Sequence, residues 1–328
     1  MAHQSVKWTA ARTTSLALTI IPVFFFLLVV GNLIWTSLPA VKLVGLPVLF
    51  STKFSSRFSG IYTPGEYGLL PAIWGTFMVA GVALMIAFPI SLAMSIFATE
   101  FTLGGVGYTI EGLLAIFAGI PEIIYALLSI FVINIFIQPM FAGQGLPEDV
   151  IMSLPGLPAW NAAMLPNMHS TLLGGILLSL LIIPFMAPLM VDAIRNVPIG
   201  LKEASLALGA TRWFTLWRVT LPSALTGIIA AVSLGILKTI GDVVISAWTI
   251  GYIKSGMPVP LWDALEAVAP LTSTGAGLLN GLHPGGNNIF GPDTAVAYFA
   301  ALLILIMTFL ILISVSLLQN YFKRRFTQ

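Results

Sequence analysis

Val197-Pro198-Ile199-Gly200-Leu201-Lys202-Glu203-Ala204-Ser205-Leu206-Ala207-Leu208-Gly209-Ala210-Thr211-Arg212-Trp213 is a charged interlude between two long apolar runs, 170–191 and 222–252. Apolar residues at Leu201, Ala204 and Leu208, and again at Trp213, Leu216 and Trp217, are spaced as on helix faces. They predict two short helices joined near Gly209, where a residue without Cβ gives the bend a permissive backbone. Pro198 is placed to open the first helix, at a position whose N–H has no intrahelical partner. The flanking runs are long and apolar enough to cross a bilayer. Residues 192–221 therefore read as an amphipathic elbow between two membrane spans.

The rest of the chain has the same character. Of its 328 residues 58% are hydrophobic and 8% charged, against about 25% charged in soluble domains. Runs 16–38, 70–98, 110–137 and 295–321 complete a set of six spans, so the expected fold is an all-α polytopic membrane protein. The run Leu16 to Leu38 follows Lys7 and Arg12 as a signal peptide would. It is longer than the apolar core of about 7–15 residues in such peptides, and Pro39-Ala40-Val41-Lys42 is a poor cleavage site, so it reads as a retained helix. Segment 39–68 ends in the turn residues Thr63-Pro64-Gly65, segment 138–168 holds five prolines, and 253–293 is rich in Gly, Pro and Asn. Such irregular backbone belongs outside the hydrocarbon, where water satisfies it. The organisation expected is an N-terminal tail, first span and external loop (1–69), a core (70–321) and a terminal tail (322–328).

Basic residues orient the chain. With the N-terminus inside, Lys7, Arg12, Arg195, Lys202, Arg212, Arg218, Lys323, Arg324 and Arg325 are cytoplasmic, nine against the four external residues Lys42, Lys53, Arg57 and Lys254. This places both termini and the elbow in the cytoplasm. Trp35, Trp74, Trp248 and Trp262 are expected at the membrane interfaces. Pro89, Pro121, Pro184 and Pro188 fall inside spans and predict kinks.

Several function classes are excluded. A net charge of +2 without a basic, aromatic-interleaved stripe does not suit nucleic acid. No cysteine is present, so there is no disulfide, thiolate metal site or cysteine nucleophile. His3, His169 and His283 have no metal-site spacing. No lysine follows a glycine, so there is no Gly-Lys-Ser/Thr phosphate loop, and the chain reads as a transport subunit and not as an ATPase.

Ionisable residues inside spans are the candidates for chemistry. Lys238 lies near the middle of the fifth span, Asp242 one turn further on, and Glu122 about 12 residues into the third. Each costs on the order of 2.5–3.5 kcal/mol to insert alone, so all three should face the bundle interior or a water-filled cavity. The i, i+4 spacing puts Lys238 and Asp242 on one face, although a base N-terminal to an acid is the weaker order. Glu122 is then a competing partner. Lys238 is either a point charge that transiently holds an anion or half of a structural interhelical ion pair.

The elbow also carries a spacing. Glu203-Ala204-Ser205, three residues, Gly209, nine residues and Val219-Thr220-Leu221-Pro222 resemble the E-A-A-x3-G-x9-I-x-L-P signature of ABC importer permeases. Further stretches, in order, are Gly65-Glu66-Tyr67-Gly68-Leu69-Leu70-Pro71 with Gly75-Thr76, and Ala118-Gly119-Ile120-Pro121-Glu122-Ile123-Ile124-Tyr125. Ala207 to Trp213, Thr249-Ile250-Gly251 and Leu271-Thr272-Ser273-Thr274 follow. Together they make residues 66–321 similar to the permeases of phosphate importers, the PstC-type subunit above all.

The resemblance implies a type I ABC importer permease fold in the cytoplasmic (inner) membrane. It implies that Glu203, Ala204, Ser205, Gly209, Arg212 and Trp213 dock on an ABC ATPase dimer that holds ATP-Mg, with no cofactor in this chain. It also implies a second, homologous permease chain and an extracytoplasmic substrate-binding protein. Its substrate pathway would include Lys238, Thr239, Asp242 and Glu122. Two departures stand at those residues: Lys238-Thr239-Ile240-Gly241-Asp242-Val243 replaces the family's R-A-x-G-E-T, and Ile120-Pro121-Glu122 replaces I-P-S. They leave the cargo open between phosphate and tungstate, molybdate or sulfate. An ion-coupled secondary transporter, with the three charges as a proton relay, is the reading from another class.

Overall fold

In hydrocarbon every backbone N–H and C=O has to be satisfied within its own segment, so the apolar runs close into helices. A computed structural model describes residues 2–43, 45–53, 67–102, 105–132, 170–251, 257–258, 268–280 and 292–326. Helices are α1 (Ala2–Leu43), α2 (Leu70–Ile96), α3 (Val106–Ala118), α4 (Glu122–Val132), α5 (Thr171–Arg195) and α6 (Ile199–Ala207). They continue as α7 (Arg212–Thr215), α8 (Leu221–Gly241), α9 (Val244–Thr249), α10 (Leu271–Asn280) and α11 (Pro292–Phe326). No strand occurs among the described residues. The loop 138–168, the turn Thr63-Pro64-Gly65, most of 253–293, and with them Lys254, Trp262, His169 and His283, lie outside the described residues.

Five stretches are each long and apolar enough to cross a membrane: Leu18–Lys42, Leu70–Phe101, Thr171–Arg195, Arg212–Gly241 and Thr294–Phe322. The sixth expected span is broken. Its halves, Val106–Ala118 and Glu122–Leu128, meet at 86°. Pro121, which has no N–H to donate, stands at the corner, and the Tyr125 hydroxyl donates to the Phe117 carbonyl across it at 3.0 Å. Pro89, Pro184 and Pro188 lie inside α2 and α5, which continue through them as helix.

The fifth span departs from its expected range of 222–252. Helix α8 ends at Gly241, Asp242 takes extended backbone (ψ 126°), and the chain resumes as α9. The cause is local. The Asp242 side chain, one residue before the N-cap Val243, accepts from Ser246 N at 3.0 Å and so satisfies an open N–H of the first turn of α9 in place of prolonging α8.

Helix α5 is the centre of the bundle, with two thirds of its apolar window buried. It packs against α2 and α8. Leu178, Ile182, Met186, Met190 and Ile194, recurring every four residues, are inaccessible. Small residues let the helices approach, as packing inside a bilayer requires. A Cβ at Gly175 would collide with Val82 of α2, and one at Gly235 of α8 with Met186. Ser95 of α2 donates to the Ala187 carbonyl of α5 at 3.0 Å. Elsewhere, Gly75 and Thr76 seat α10 on α2. A Cβ at Gly75 would stand 2.6 Å from the Val268 carbonyl, and Thr76 Oγ1 accepts from Leu271 N at 2.9 Å. A second apolar cluster, including Leu69, Ala72, Leu271, Val296 and Ala300, joins α10 and α11 to the start of α2. Helices α1 and α11 flank the bundle and expose apolar side chains such as Phe24, Phe25, Phe309 and Ile313, the surface that lipid tails cover.

Candidate functional site

The elbow forms as its residues dictate. Pro198 precedes the first turn of α6, Gly209 takes φ +84°, and Thr211 Oγ1 accepts from Phe214 N at 3.2 Å to start α7. A five-residue π-helical turn, Leu216–Thr220, then leads into α8. Ser205 Oγ and Thr215 Oγ1, 2.9 Å apart, tie the two arms together. No residue of α6 is buried. Glu203, Ala204, Gly209, Arg212 and Trp213 are exposed and Ser205 is half-buried. Beside them Leu208 is 90% exposed, and Trp213 and Trp217 stack edge to face at 5.7 Å between ring centres. The result is an apolar, charge-edged knob that the other described residues leave uncovered.

Two ion pairs at the foot of this knob were not legible in the sequence. Lys202 of α6 pairs with Glu100 at 2.5 Å. Arg195, the last residue of α5, grips Glu111 of α3 with both amino groups, at 2.9 and 2.5 Å, and lies 5.1 Å from the ring centre of Tyr108.

The intramembrane charges come together in one place. Lys238, in the last turn of α8, forms an ion pair with Glu122, in the first turn of α4. Both side chains are 32% exposed, so the pair is part-buried and is not sealed in the core. Phe185 of α5 stands 5.4 Å from Lys238 Nζ, a cation–π neighbour with no sequence signal of its own. Phe185 lies ten residues before Arg195, so the pair sits roughly 15 Å along α5 from the elbow end and roughly 21 Å from the other. That is mid-membrane depth. The helix ends match their charges, since an acid is favoured at a helix N-terminus and a base at a C-terminus.

The pairing of Lys238 with Asp242 suggested by their spacing is not formed. The helix ends between them, which carries Asp242 off the face of Lys238. Asp242 is 3% exposed. One carboxylate oxygen, Oδ2, accepts from Ser246 N and Oγ, its carbonyl accepts from Thr272 Oγ1 at 2.8 Å, and Oδ1 meets no donor. The Thr239 hydroxyl is turned into its own helix, donating to the Gly235 carbonyl at 2.8 Å. Among the described residues no cluster of three or more metal-ligating side chains occurs.

Residues 106–328 match the model of the binding-protein-dependent transport system inner membrane component family. The chain belongs to that family. Among the relatives of this inner membrane component is a phosphate transport system permease protein PstC of Xylella fastidiosa, 30% identical over 222 residues, 67% of this chain and 65% of the relative. The chain thus spans just under two thirds of that relative's length. The PstC protein of Haemophilus influenzae is 29% identical over 309 residues, 94% of this chain and 90% of its own. Among solved structures, an inward-facing MetNI methionine ABC transporter superposes with a TM-score of 0.52 at 20% identity, covering 82% of this chain and 99% of that one. That likeness gives the type I importer permease fold.

Proposed function

We propose that this inner membrane component is the membrane-spanning subunit of an ATP-driven importer of phosphate, assembled with a second permease chain and an ABC ATPase dimer. The observation that carries this reading is the uncovered elbow, whose Glu203, Gly209 and Pro222 spacing coincides with an exposed docking knob. Glu203 and Arg212 offer charged contacts, and Leu208, Trp213 and Trp217 offer apolar ones. The elbow and both termini face the cytoplasm, as the basic residues favour. An extracytoplasmic binding protein delivers the oxyanion at the other face, and ATP-Mg is held by the partner ATPase.

In this mechanism closure of the ATPases moves the elbow as a rigid body and rocks the spans about the site. Lys238 is the cation of the path. Glu122 neutralises it when the path is empty and is displaced when the oxyanion arrives. A single lysine binds weakly enough to let the anion go, which conduction requires as much as capture. Asp242 and Thr239 shape the end of α8 that presents Lys238.

The test is uptake by proteoliposomes containing the chain, its partner permease and the ATPase, with binding protein and labelled phosphate outside. ATP-dependent phosphate accumulation that withstands excess sulfate, molybdate and tungstate is expected. Accumulation of one of those anions instead would change the cargo, and accumulation without the ATPase would overturn the class.

A further inference from the structure

We propose that Glu100–Lys202 and Glu111–Arg195 form a two-point brace that delivers motion of the elbow to the Glu122 end of the broken third span; this rests on the transport reading above. Helix α6 buries none of its residues, so apolar packing does not lock it to the bundle. Lys202 reaches instead across 102 residues of sequence to Glu100, in the π-helical turn Phe97–Phe101 that ends the second span. That turn is packed on the start of α3: a Cβ at Gly107 would stand 2.6 Å from the Ala98 carbonyl. The Thr102 hydroxyl also donates to that carbonyl, at 2.8 Å.

The second point lies where α5 passes into the elbow. Arg195 grips Glu111 with a bidentate fork and covers Tyr108 three residues earlier, so both contacts fall on one face of α3. A fork fixes direction as well as distance, which a flexible lysine does not. Helix α3 is a rod of 13 residues, roughly 20 Å long. Its far end is the Gly119–Pro121 corner, beyond which Glu122 meets Lys238. The Tyr125–Phe117 hydrogen bond carries displacement across that corner.

The elbow therefore reaches the Lys238–Glu122 pair by two routes. One is covalent, through α8 to Lys238, and the other runs through the brace and α3 to Glu122. Moving the partners by different routes is what separates them. Side-chain exposures of 22–36% leave both braces accessible to water and able to re-form in each cycle.

Charge exchange tests this in the reconstituted complex, read as phosphate moved per ATP hydrolysed and normalised to assembled complex. Glu100→Lys and Glu111→Lys should each lower that ratio about fivefold or more. The exchanges Glu100→Lys/Lys202→Glu and Glu111→Lys/Arg195→Glu should return it to within about twofold of the parent. A single variant that keeps the parental ratio, or an exchange no better than its single variant, overturns the brace. If pairs only stabilise the fold, assembled complex falls while the ratio holds, which also overturns it. Where a lysine variant fails to assemble, Glu100→Gln or Glu111→Gln carries the comparison. If the unmodified complex shows no ATP-dependent uptake, the transport reading itself is what fails.

Discussion

Lys238 and Glu122 meet because two helices stop where their charges suit the stop. Each charge is worth about 0.3–1 kcal/mol at its helix terminus, and the pair cancels net charge within the membrane. Truncating one partner leaves the other uncompensated. Lys238→Ala should lower the initial rate of phosphate uptake at least thirtyfold, about 2 kcal/mol, the low end of the cost of removing one member of a hydrogen-bonded charge pair. Quantitative blotting should show unchanged chain in the membrane; unchanged uptake would remove Lys238 from the pathway. Asp242 behaves differently, since its carboxylate already holds α9 through Ser246. Asparagine offers Ser246 N the same side-chain oxygen, so Asp242→Asn should keep uptake within about twofold, whereas Asp242→Ala leaves that buried N–H without its acceptor and should cost about 1–3 kcal/mol in a denaturation assay. A large loss of uptake in the asparagine variant would instead place the negative charge itself in the path.

At the scale of elements, the elbow and the broken spans share one device, a backbone that leaves the helix at a chosen residue. Gly209 does so with φ +84°. A side chain there meets no neighbour but strains the backbone by about 1–2 kcal/mol. Gly209→Val should therefore insert normally yet retain less ATPase on co-purification, because α6 and α7 no longer hold their relative angle. Retention equal to the parent would show that the bend is not needed for docking. The corner at Pro121 and the end of α8 at Gly241-Asp242 had signals in the sequence: a proline in the first case and a Gly-Asp pair in the second. The second is masked because the apolar run continues beyond it, and hydropathy does not register a helix that stops and resumes inside the bilayer.

For the whole molecule, sidedness and packing are the quantities to measure. The chain has no cysteine, so single cysteines report topology without background. Leu208→Cys should label only from the cytoplasmic side and Lys53→Cys only from the opposite one; the reverse would overturn the orientation and the docking of the elbow with it. Helix α5 sets the packing, and at Gly175 Val82 of α2 leaves no room for a side chain. Gly175→Leu should lower stability by about 1–3 kcal/mol through overpacking, read as a lower midpoint of thermal unfolding in detergent.

Composition and period were enough to establish an all-α chain, its spans apart from the broken third and the displaced fifth, the two arms of the elbow and the bend at Gly209, because each depends on neighbours within a few residues. The meeting of Lys238 with Glu122, 116 residues away, and of Lys202 with Glu100, 102 away, belongs to the tertiary structure alone. In a bilayer nearly every face of a helix is apolar, so the amphipathic pattern that assigns faces in water says little about which helix packs on which. Close approach at a few small residues and the satisfaction of buried charges make that choice, and neither is decided until distant segments are already side by side.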